Sequence, residues 1–83
     1  MAKSVAIVKE QGVIFTVLLV KNGVIRSSAR EKVRDSAPSN FPRPIILAEQ
    51  KNGGRMEYHG RKDIVNFLSN VPYTALPWRN YTR

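Results

Sequence analysis

Residues 13–20 read Val13-Ile14-Phe15-Thr16-Val17-Leu18-Leu19-Val20, seven apolar side chains around one threonine. β-Branched and aromatic residues suit a pleated strand better than a helix. A run that is apolar on both alternations suits a strand covered on both faces, so this stretch is expected to be a central strand. A membrane-spanning helix needs about 20 consecutive apolar residues, so eight make a core segment.

Working outward, residues 3–9 (KSVAIVK) alternate loosely and read as a first strand. AKSVAIVKEQG also fits a short helix closed by Gly12. Downstream, Lys21-Asn22-Gly23 suits a tight hairpin turn, with Val24–Ser27 returning as a strand. Ser28 and Glu31 have the spacing of a capping box and open a polar helix over 29–37, which Pro38 ends. Residues 38–44 (PSNFPRP) hold three prolines and read as an extended connector. Ile45–Glu49 is a strand, Lys51-Asn52-Gly53-Gly54 a turn, and Arg55–Tyr58 the returning strand. In 61–71, Ile64, Val65, Phe67, Leu68 and Val71 fall on one stripe at the 3.6-residue period of a core-facing helix. Pro72 stops it, and residues 72–83 form an extended tail rich in proline, aromatics and arginine. The expected fold is α+β: a small mixed or antiparallel sheet of about four strands with two helices, in the order strands, helix, hairpin, helix. Residues 1–71 make one domain and 72–83 its tail.

From about Gly12 to Leu68 this order resembles the later part of the thioredoxin or glutaredoxin fold. An apolar strand is followed by a polar helix, then by Arg43-Pro44-Ile45-Ile46, with its proline immediately before a strand. A turn at Asn52-Gly53-Gly54, the segment Tyr58-His59-Gly60 and the helix DIVNFL follow. The resemblance implies that Pro44, or else Pro42, is the proline that in that family is usually cis and faces the active site. The chain departs from the family in lacking Cys-x-x-Cys and in being about one strand and helix short at its N-terminus. What it implies is therefore a non-redox relative.

The 83 residues include no cysteine, which excludes disulfide frameworks, thiolate zinc sites and cysteine nucleophiles. Small secreted domains are normally stapled, and residues 1–8 have no signal-peptide pattern, so a cytoplasmic setting is expected. His59 is the only histidine and stands at a strand end, so no two-histidine metal site can form. The acids Glu10, Glu31, Asp35, Glu49, Glu57 and Asp63 are scattered, and neither glycine group has phosphate-loop spacing. The pattern implies no enzyme, no metal and no cofactor.

Charge is the positive signal: 14 Lys+Arg stand against 6 Asp+Glu, a net charge of +8. Arg26, Arg30 and Arg34 cluster around the first helix, Arg43 and Arg55 flank the hairpin, and Arg61 and Lys62 open the second helix. Arginine pairs bidentately with phosphate, and a basic domain attracts polyanions at long range. In the tail, Arg79 lies between Trp78 and Tyr81, which suit stacking on unpaired bases or anchoring in a protein groove. The leading expectation is a non-enzymatic basic protein that binds nucleic acid or a nucleoprotein machine. Its size, charge and missing catalytic set suit a small phage or bacterial regulatory protein. The alternative is an interaction adaptor or inhibitor, a cysteine-free thioredoxin-like relative gripping an acidic partner with its sheet edge and Trp78.

Overall fold

Val13–Val20 is strand β2, the middle of a five-stranded mixed sheet in a computed structural model that describes residues 2–10 and 12–82. β1 (Ala2–Glu10) returns into β2 as an antiparallel hairpin, with Val5 opposite Leu18 and Glu10 opposite Val13. On its other side β2 runs parallel to β3 (Ile45–Gln50), with Thr16 beside Ile45. Parallel neighbours need a long crossover, and residues 21–44 supply it with helix α1 (Arg30–Asp35) inside. A 3₁₀ turn over Asn52–Gly54 leads to β4 (Met56–His59), antiparallel to β3. Helix α2 (Lys62–Ser69) and a 3₁₀ turn at Tyr73–Ala75 then carry the chain to β5 (Trp78–Thr82). β5 pairs antiparallel with β1, giving the order β4-β3-β2-β1-β5.

The strand period of two divides β2 between two cores. Phe15 and Val17 join Ile46 and Ala48 under Ile64 and Leu68 of α2. Leu18 joins Val5, Ile45 and Leu47 on the opposite face, beneath Ile25, Ala37, Val33 and Phe41 of the crossover. Each helix thus covers one face, which is why β2 is apolar on both. Thr16, the polar interruption, is fully buried and satisfied: its hydroxyl donates to the Pro42 carbonyl at 2.7 Å. Its amide donates to the Pro44 carbonyl at 3.2 Å, so the proline connector is stitched to the sheet. The Arg43–Pro44 peptide is cis.

Three expectations need correction. The sheet has five strands, because the tail segment Trp78–Thr82 adds a strand at the β1 edge. The strand read over 3–9 is present as β1, Ala2–Glu10, and its pairing with both β2 and β5 leaves no place for the alternative helix. Val24–Ser27 is a run of turns, with no returning strand. The cause is Glu49, a fully buried carboxylate that accepts the amides of Gly23 at 2.8 Å and Ile25 at 3.2 Å and so holds the loop at the sheet. Finally, α1 is shorter than 29–37 and lacks the expected capping box. Ala29 stands at its N-cap without a side-chain bond, and Ser27 accepts the Ala29 amide at 3.2 Å. Glu31 turns instead to Arg34, whose charge-assisted bonds are stronger than one to a neutral amide.

Candidate functional site

Where α1, the proline connector and the β4–α2 turn meet, the surface sinks into a groove of about 540 Å³. Its lining is Arg34 and Asp35 from α1, Arg43, Pro44 and Ile45 from the connector and β3, and His59, Gly60 and Arg61 from the turn. The turn approaches β3 closely because residue 60 is glycine. A Cβ built there would lie 2.5 Å from Ile46 Cδ1. No larger residue fits that approach without moving Ile46, whose side chain is fully buried.

Arg34 organises the groove. Its Nε donates to the Ile45 carbonyl at 3.1 Å, and one terminal nitrogen donates to both Glu31 oxygens at 2.6 and 2.7 Å. The other donates to the His59 carbonyl at 3.1 Å and meets His59 Nδ1 at 2.6 Å. All five guanidinium N–H groups therefore have partners, and the residue ties α1 to the ends of β3 and β4. Because an arginine can only donate, His59 Nδ1 must be the acceptor, which puts the ring proton on Nε2. Burial lowers the His59 pKa from 6.5, and the charges of Arg30 and Arg34 lower it further against the opposite pull of Glu31 and Glu57. The Arg34 hydrogen bond likewise holds the Glu31 carboxyl below its ordinary value, with Arg30 assisting.

The other predicted contacts divide into groups. Arg43 is exposed, lines the groove and makes no ion pair among the described residues. Arg61 lines it too, with its Nε 2.8 Å from Asp63, and Lys62 follows as the first residue of α2. Arg30 reaches the Ile25 carbonyl at 3.1 Å and Glu31 at 3.3 Å, while the exposed Arg26 meets Glu57 at 3.5 Å. Arg55 sits on the β3–β4 turn, outside the groove lining. Arg79 is on β5 at the far sheet edge, four strand spacings or about 19 Å from β4. Trp78 packs against the α2-side core and its indole N–H donates to the Tyr73 carbonyl at 2.7 Å. The backbone of Tyr81 pairs with Lys3, and its side chain lies outside the described residues.

Of the arginines that the sequence singled out in separate groups, the structure brings Arg34, Arg43 and Arg61 to one groove and leaves Arg55 and Arg79 elsewhere. The sequence reading missed His59 as a member, because its partner is 25 residues away in the chain. The available signal was the pairing of the lone histidine with a glycine and two bases in His59-Gly60-Arg61-Lys62. Among the described residues no helix is long and apolar enough to cross a membrane. Comparisons with family models, curated proteins and solved structures find no match to this chain, so the site is read from its own geometry.

Proposed function

We propose that the protein is a non-enzymatic basic domain that binds nucleic acid through phosphate contacts centred on the Arg34 groove. The observation that carries this reading is the convergence of Arg34, Arg43, His59 and Arg61 from three chain segments on one depression. Arg34 braces the groove, since its N–H groups are already bonded and its charge is paired with Glu31. Arg43 and Arg61 supply donors that can reach an incoming oxyanion, and arginine matches phosphate in a planar fork. Arg26, Arg30 and Lys62, outside the lining, add to the net positive charge, which favours encounter with a polyanion.

The test is fluorescence anisotropy with single-stranded and duplex oligonucleotides over a range of salt. The logarithm of affinity should fall linearly with that of salt, and Arg43→Ala should reduce the slope by about 1. Arg55→Ala should reduce affinity less than Arg43→Ala. Binding that is indifferent to salt, or equal for the two variants, would overturn the reading.

A second reading, an adaptor for an acidic partner protein, draws on β5 being an edge strand that an extended peptide could lengthen. It predicts chemical-shift changes along Trp78–Thr82 when an acidic peptide is added, with the groove undisturbed.

A further inference from the structure

We infer that the groove seats a terminal phosphate, the monoester at the end of a strand or of a single nucleotide, and not an internal phosphodiester; this rests on the phosphate-binding reading above. The first argument is donor geometry. A monoester has three terminal oxygens and close to two charges, whereas an internal phosphodiester has two such oxygens and one charge. Three sets of donors from two segments line this groove: the fork of Arg43 from the connector, and from the β4–α2 turn the N–H groups of Arg61 left over from Asp63 and His59 Nε2–H. That set matches the richer acceptor.

The second argument is size. About 540 Å³ falls within the roughly 300–1,000 Å³ of small-ligand sites, enough for a nucleotide. Pro44 in the lining offers apolar surface for its sugar or base.

The third argument is the absence of a track. Proteins that follow a strand do so along a continuous positive groove. Here Asp35 lines the depression and Asp63 holds Arg61, so carboxylates stand beside the cations. The cations outside it are dispersed, Arg55 on the β3–β4 turn and Arg79 across the sheet. A strand end needs only one exit from the groove.

The test compares four probes by competition and titration: a short oligothymidylate with a 5′-phosphate, the same with a 3′-phosphate, the same with hydroxyls at both ends, and free thymidine monophosphate. One phosphorylated end should bind at least tenfold tighter than the hydroxyl-ended strand, and Arg43→Ala should abolish the difference while Arg55→Ala preserves it. Competition by the free monophosphate at matched concentration assigns the seat to a single nucleotide, and failure to compete assigns it to a strand end; both support the terminal-phosphate seat. Equal binding of phosphorylated and hydroxyl-ended strands overturns the inference and leaves the nucleic-acid reading standing. Arg43-dependent binding of the monophosphate with no oligonucleotide binding upholds the seat and overturns the nucleic-acid reading.

Discussion

Glu49 shows how one residue can fix a long loop. Its carboxylate is fully buried between the amides of Gly23 and Ile25 and the Lys51 ammonium, 2.5 Å away. Burial pushes its pKa up, but the Lys51 hydrogen bond and the two amides outweigh that and leave it below 4.5. A carboxylate depressed in the folded state contributes stability that is present above its unfolded pKa and lost as pH falls through the folded one. Denaturant unfolding should therefore show stability declining from about pH 4.5 downward. Glu49→Gln should flatten that decline and cost about 1–3 kcal/mol at neutral pH, because the charged acceptor of the loop amides is lost while Lys51 keeps Glu57 at 3.4 Å. A variant with the wild-type acid profile would refute the assignment. Tyr58 is the opposite case. Its hydroxyl is buried with no hydrogen-bond partner among the described residues, and burial raises its pKa. An unsatisfied buried donor costs about 1–3 kcal/mol, so Tyr58→Phe should raise stability by about 1 kcal/mol, measured by the same titration.

At the scale of elements, legibility followed how local the cause was. β2 was readable to the residue because burial on both faces writes itself as a nearly continuous apolar run. α2 was readable because Ile64 and Leu68 recur at helical spacing. β5 was not, since an edge strand buries little, and Trp-Arg-Asn-Tyr-Thr carries no apolar alternation. The 24–27 loop and the groove were illegible for another reason: their causes, Glu49 and the Arg34–His59 pair, act across 24 and 25 residues. The β4–α2 turn is the element on which the groove depends, and its packing can be tested. Gly60→Ala sets a Cβ against Ile46 Cδ1, and overpacking of this kind costs about 1–3 kcal/mol. Ile46→Val removes the obstructing Cδ1. The double variant should therefore be more stable than the sum of the two single losses predicts, by at least about 0.5 kcal/mol. Strict additivity would mean that the cost lies in backbone strain at the Gly60 φ of 157° or in movement of the turn, and not in contact with Ile46.

For the whole molecule, a charge of +8 on 83 residues has two separable consequences. Self-repulsion destabilises the compact state and is screened by any salt. Adding sodium chloride should therefore raise Tm, and by nearly the same amount in wild type and in Arg43→Ala, since one charge among fourteen basic residues changes the repulsion little. Site binding behaves differently. A ligand held at ten times its Kd stabilises the folded state by about 1.4 kcal/mol. In a domain of this size that corresponds to a rise in Tm of roughly 6–11 °C. Thermal melts with thymidine monophosphate at matched ionic strength should show this increment over chloride in wild type, and Arg43→Ala should lose it. Were the increment equal in both proteins, the phosphate would be acting on the overall charge, and the groove would have no part in it. An increment confined to proteins that retain Arg43 ties the molecule's net charge to one place where it is used.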